Sequence, residues 1–339
     1  MFDDSNCENC DSVACLMKCQ WIDFESKEEA KGEIMKMIDG EDSRVLSECV
    51  TCFACDEYCK KYGYNSHPFD LFVNLQEKYD SHGINPSIIK MTVNRYKPHE
   101  ELREGDIDPE EPVLNKCAFV KSHAKHRKGQ LFEDLQSVAG RDFFCNLLYH
   151  HIERDSVIME RTPKIKENIE EYGIKEMICF HDECYGLWAS YAPRNDIEVP
   201  FKPIHLFEYI YGYLKDYESE IEPLNMKIAY QRNCSNRFIP ETDEWVDKIC
   251  DLIGLERVER EYDRENALCC AAPFAFLGKK KLVRETQNKN VKDMLEHEAE
   301  ACVFNCPMCM DTLGSKSSRK GLENYLLSDL CRMALGEEI

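Results

Sequence analysis

The stretch ACVFNCPMC, Ala301–Cys309, carries an apolar run into two cysteines separated by two residues. A short apolar run bounded by polar residues reads as a buried strand, here Ala301–Asn305, ending at Cys306. Thirty-five residues upstream of Cys306 stands the adjacent pair Cys269-Cys270, and thirty-four residues before that pair stands Cys234. Cys234 closes a second strand-like run, MKIAYQRNC (Met226–Cys234). Helical patterns fill the intervals, one reaching Cys250 and one over Lys279–Met294. Strands alternating with helices predict α/β units, and five thiols borne on the intervening loops can converge on one metal cluster.

The same order recurs upstream with a period of roughly 110–125 residues. A strand over Cys117–Val120 precedes a helix over Gln130–Ala139, the phrase FFCN and a second helix over Lys164–Tyr172. A strand over Met177–Phe180 then runs into His181-Asp-Glu-Cys184. A helix with an apolar face follows each copy, Ile204–Leu214 and Leu322–Leu335. The upstream copy is degenerate. Phe144-Cys145 stands where the cysteine pair belongs, and His181 with Cys184 where two cysteines belong. His123 lies near the missing leading cysteine. A five-thiolate site cannot form there. Three readings stay open: a metal-free structural repeat, a small His/Cys site from His123, Cys145, His181 and Cys184 suited to zinc or iron, or an altered cluster.

The first 97 residues hold eight cysteines in two groups: Cys7, Cys10, Cys15 and Cys19, then Cys49, Cys52, Cys55 and Cys59. The second group has the two-two-three gaps of a bacterial ferredoxin run, in which the fourth cysteine serves the neighbouring cluster. Paired C-x2-C elements also suit zinc, which is the competing reading. Between the groups, Lys27–Ile38 has apolar residues at helical spacing. Pro98–Pro112, rich in proline and acid without apolar periodicity, reads as a linker.

Composition narrows the class. At 339 residues the chain predicts two or three domains. Twenty cysteines in a chain that begins acidic and polar, without a secretory leader, predict a cytoplasmic protein whose thiols bind metal rather than form disulfides. Cys117, Cys179, Cys250, Cys302 and Cys331 lie in apolar stretches and read as core. A net charge of −21 argues against a nucleic-acid surface. No apolar run approaches the roughly 18–20 residues of a membrane span.

With these motifs in view, the chain resembles the iron-sulfur subunits of heterodisulfide reductase, fused into one polypeptide. The resemblance implies a multidomain protein: an α-helical two-cluster ferredoxin domain (1–97), a linker (98–112), a degenerate first CCG unit (113–222) and a complete second CCG unit (223–339). It implies two cubane [4Fe-4S] clusters, one on Cys7, Cys10, Cys15 and Cys59, the other on Cys49, Cys52, Cys55 and Cys19. A noncubane [4Fe-4S] cluster would sit on Cys234, Cys269, Cys270, Cys306 and Cys309 and reduce a disulfide of the coenzyme M–coenzyme B type. The alternative is a relay between a flavoprotein and another redox subunit. Two departures bear on the substrate. Ala271-Ala272-Pro273 replaces the family's glycines, and Gln231-Arg232-Asn233 replaces its usual turn before the first cysteine. Arg232, Asn233 and Arg237 are expected either to meet an anionic thiol or to form surface salt bridges.

Overall fold

The computed structural model describes residues 2–97, 107–119 and 123–339. Every regular element among the described residues up to 97 is a helix. Lys27–Ile38 forms the expected helix: Ser26 caps it by accepting from the Glu29 amide (3.1 Å), and Ala30, Ile34 and Met37 turn one stripe inward. That stripe meets Leu16, Val45 and Phe72 in a small core beneath the cysteine loops.

The remainder forms two four-stranded parallel sheets of identical topology. The first has the order β2-β1-β3-β4, with β1 Val113–Asn115, β2 Ser137–Val138, β3 Glu176–Cys179 and β4 Lys202–His205. The second has the order β6-β5-β7-β8, with β5 Met226–Gln231, β6 Leu255–Arg257, β7 Ala301–Phe304 and β8 Glu323–Leu326. Parallel pairing requires crossovers, which the helices supply. In both sheets the chain leaves the first strand to one side and returns on the other. The crevice therefore lies above the carboxyl ends of the two central strands, where open α/β sheets hold their ligands. Those ends are β1 and β3 in one unit, β5 and β7 in the other. The two units share a core in which Ile178 and Ile204 join Ile228, Val303, Ile249 and Leu330.

The sequence reading misplaces several elements of the first unit. The strand expected at Cys117–Val120 lies earlier, at Val113–Asn115: the Asn115 side chain accepts from the Cys117 amide (2.8 Å), and Cys117 takes φ +58°, which ends the strand. Val120 itself is outside the described residues. The helix expected at Gln130–Ala139 is replaced by turns and by β2. Tertiary contacts claim its backbone groups: the Gln130 amide donates to Glu337, and Tyr209 donates to the Leu131 carbonyl (2.9 Å). The helix expected at Lys164–Tyr172 begins at Asp155 and runs through Pro163. Short strands β4 and β8 precede the helices that close each unit, so these helices are Leu206–Asp216 and Leu327–Ala334. Of the expected linker, residues 98–106 are outside the described residues. Its remaining part is tied down, with Gln136 bonded to Asp108 and Glu111.

Candidate iron-sulfur centres

The N-terminal thiols form two quartets. Cys7, Cys10, Cys15 and Cys59 line one cavity of about 20 Å³. Cys19, Cys49, Cys52 and Cys55 line a second of about 30 Å³, which Cys15 also borders. The fourth cysteine of each run thus faces the other run's cavity. Lys31 donates to the carbonyls of Cys7, Glu8 (2.9 Å) and Cys10 (3.3 Å), tying the first loop to the helix Lys27–Ile38. The Ser66 amide donates to Cys59 Sγ (3.4 Å) and the Thr51 amide to Cys49 Sγ (3.3 Å). Burial pushes the Cys7 thiol up to about 11, with Cys59 and Cys10 adding like-charge repulsion. Burial and Cys52 push Cys19 and Cys49 up to about 12. Thiols gathered this closely ionise together only around a positive core, which fits both donor sets to a metal centre.

The second α/β unit gathers the free thiols of Cys234, Cys269, Cys270, Cys306 and Cys309, all buried, at one place. Cys269, Cys270, Cys306 and Cys309 share one core, and Cys234 stands near enough to Cys269, Cys270 and Cys306 for their charges to interact. The topology explains the convergence. Cys234 lies just beyond β5, and Cys306 caps the helix Pro307–Ser318 beyond β7, so both stand at the crevice between the central strands. The helix amino end favours thiolate at Cys306 and Cys309. The Cys309 thiol is pushed well up by Cys270 and Cys306 and by burial. Ala271, where the family has glycine, adopts the left-handed turn at φ +69°, at a cost of about 1 kcal/mol, and its amide donates to Cys269 Sγ (3.3 Å).

In the first unit His123 Nδ1 and His181 Nε2 lie 3.0 Å apart, bonded to each other. Cys184 accepts from Asn115 Nδ2 (3.4 Å) and bonds Cys179, while Cys145 and Cys117 stand nearby. Burial, aided by Arg127, lowers His123 to about 4, which keeps it neutral. A tetrahedral ion at about 2.3 Å from each sulfur requires its ligands to crowd closely together. Among the described residues, those of the other three thiol groups included, no three or more His, Cys, Asp or Glu side chains are placed to hold a single metal ion, so this does not set the first unit apart. A cavity of about 30 Å³ separates the two units: Phe119, Phe144, Cys145, His181 and Glu183 line it from the first unit, Cys306 and Met308 from the second. Burial, then Asp182, raises Glu183 to about 7. Cys117, Cys179, Cys250, Cys302 and Cys331 are buried in the cores as expected, and Cys117 also lines this cavity.

The sequence reading left Arg232 and Arg237 between a substrate anion and the surface. The structure buries both against Glu57 of the N-terminal unit, at 2.7 Å and 2.8 Å. The preceding residue, Asp56, faces Arg194 of the first α/β unit (3.6 Å), and Arg194 also pairs with Asp70 (2.6 Å). The helix Ala54–Lys61, which bears Cys55 and Cys59, thus grips one unit with each of two adjacent carboxylates. Val50 and Cys52 pack against Cys269 and Cys270, and Trp21 meets Phe274 edge-on at 5.0 Å. His151 reaches Thr51 on one side and Cys234 on the other. Glu57, Asp56, Glu183 and His151 carry no motif in the sequence, since each draws its role from a partner far along the chain.

Residues 228–314 match the family model of the cysteine-rich CCG domain. That span contains the five clustered thiols, Cys234, Cys269, Cys270, Cys306 and Cys309, and with twenty cysteines in the chain it points to iron-sulfur redox chemistry. No curated protein matches the chain. A crystal structure of the glutamate racemase isoform RacE1 from Bacillus anthracis aligns over 66% of this chain and 79% of that one, at 10% identity and a TM-score of 0.34, too loose a likeness to support an argument. Among the described residues no helix is long and apolar enough to cross a membrane.

Proposed function

We propose that this chain is an iron-sulfur oxidoreductase subunit of the heterodisulfide reductase type. Cys7, Cys10, Cys15 and Cys59 would hold one [4Fe-4S] cluster, and Cys19, Cys49, Cys52 and Cys55 the second. Cys234, Cys269, Cys270, Cys306 and Cys309 would hold a third, noncubane centre. The observation that carries the reading is the convergence of five buried free thiols, Cys234, Cys269, Cys270, Cys306 and Cys309, at the crevice of the second unit. Such a centre, when bound, supplies electrons singly and an iron able to take a sulfur ligand.

The chain's own residues do the rest. Cys15 borders both N-terminal cavities, and Val50 and Cys52 touch the CCG segment, so the three thiol groups form a continuous line. The cavity of about 30 Å³ beside Cys306, walled by Phe119, Phe144 and Met308, is where a sulfur substituent would approach. A flavoprotein or other redox partner supplies two electrons in turn. The sulfur-sulfur bond of the substrate breaks, and the two thiolates take protons from solvent.

One observation favours a second reading, a relay without disulfide chemistry: both arginines beside Cys234 are spent on Glu57 rather than presented to a substrate anion. Anaerobically purified protein supplied with a reduced dye and a disulfide separates the two. Turnover that Cys270→Ser abolishes supports disulfide reduction. Iron that reduces and reoxidises without turnover supports the relay, and protein lacking iron and sulfide overturns both.

A further inference from the structure

One imidazole joins Cys234 to the loop that bears Cys49 and Cys52. His151 lies in the turn Leu147–Ile152 of the first α/β unit, buried and stacked on Phe53 with ring centroids 5.1 Å apart. Its Nδ1 is 2.9 Å from Thr51 Oγ1, and its Nε2 is 3.7 Å from Cys234 Sγ. Thr51 stands between Cys49 and Cys52. It is a β-branched residue at φ +56°, a strained backbone of the kind that persists where its surroundings over-determine it. Its hydroxyl also lies 2.7 Å from the Val50 carbonyl, so the single hydroxyl proton has two acceptors within reach.

The chemistry of a ligated thiolate settles how these groups are protonated. A thiolate bound to iron accepts hydrogen bonds and has none to give, so the nitrogen facing Cys234 must carry the ring proton. In the Nε2–H tautomer Nδ1 is an acceptor, and the Thr51 hydroxyl turns from Val50 to donate to it. The tautomer of a ring is set by the hydrogen bond its other nitrogen makes. Hydrogen bonds to cluster sulfur raise the reduction potential.

We propose that His151 is a positioning residue that donates a hydrogen bond to the Cys234 thiolate, with its tautomer fixed by Thr51, so that the loop bearing Cys49 and Cys52 biases the potential of the C-terminal centre. The inference rests on the proposed reading of Cys234 as an iron ligand. It gives the first α/β unit a part in the redox chemistry although its own thiol set is incomplete.

The test is a spectroscopically monitored redox titration of the full chain, prepared anaerobically, beside iron and sulfide analysis. His151→Leu is expected to shift the reduced-to-oxidised ratio of the C-terminal centre at least tenfold toward oxidised at fixed potential, a fall of about 59 mV for one electron. Thr51→Val keeps the branched shape and the left-handed backbone and loses only the hydroxyl; it should shift the midpoint the same way by less. His151→Gln, which retains a donor, should recover part of the loss. If His151→Leu sheds the cluster, Thr51→Val decides. Midpoints unmoved in proteins with wild-type iron content overturn the inference alone. Iron content that Cys234→Ser leaves at the wild-type level overturns the reading of Cys234 as well.

Discussion

The two α/β units share one strand order, yet only the second gathers five thiols at its crevice. In the first unit the same loops beyond β1 and β3 carry Cys117, His123, His181 and Cys184, and Phe144 stands where the second unit has Cys269. The scaffold is therefore indifferent to the chemistry it bears. Parallel strands and crossovers fix where the loops meet, and a handful of loop residues decides whether they meet around sulfur or around a histidine pair bonded at 3.0 Å.

The largest expected effect tests that division directly. Cys269→Ser or Cys270→Ser should remove about one third of the iron and acid-labile sulfide, since on the proposed reading one of three four-iron centres would be lost. Cys145→Ser in the first unit should leave both unchanged. Colorimetric iron and sulfide assays on anaerobic protein check this, and an iron loss in Cys145→Ser would break the contrast between the units.

The units also differ in how they join the N-terminal helices. Arg232 and Arg237 of the second share the single carboxylate of Glu57, all three groups being buried. Glu57→Gln should cost about 3–5 kcal/mol, because Arg237 is left buried without its counter-charge and Arg232 keeps only Asp243, at 3.9 Å. Denaturant unfolding measures it; a loss below about 1 kcal/mol would mean the joint is held by packing instead.

The smallest effect concerns acid. His123 has a folded pKa near 4 because it is buried, against about 6.5 when unfolded. Below pH 6.5 the unfolded chain binds the proton that the folded chain refuses, so stability is lost as pH falls from 6.5 toward 4. Between pH 7 and pH 5 the loss should be about 1–2 kcal/mol, and His123→Phe should flatten that slope in unfolding curves. An unchanged slope would assign the acid sensitivity elsewhere.

How much of this was legible in the sequence follows from the range of each interaction. The strands entering Cys234 and Cys306 were readable because apolar runs abut the cysteines, and the helix Lys27–Ile38 because its stripe and its Ser26 cap are local. The alternation of strand and helix gave the α/β class. The short outer strands Ser137–Val138 and Lys202–His205 were not readable, since two to four residues carry too little pattern. Gln130–Ala139 misled because the C-terminal tail, some two hundred residues away, claims its polar groups. Glu57 with Arg232, and Thr51 with His151 and Cys234, were invisible for the same reason. Spacing reports ligands held on one loop, and it is silent about charges that meet across units.

Asp56 and Glu57, neighbours on the helix that bears Cys55 and Cys59, hold opposite halves of the molecule at once. Tunnelling falls off exponentially with separation, so a swinging joint at this point would make throughput depend on how often the halves happened to approach. A helix pinned from two sides sets the gap once, during folding, and leaves throughput to the energy levels of the carriers.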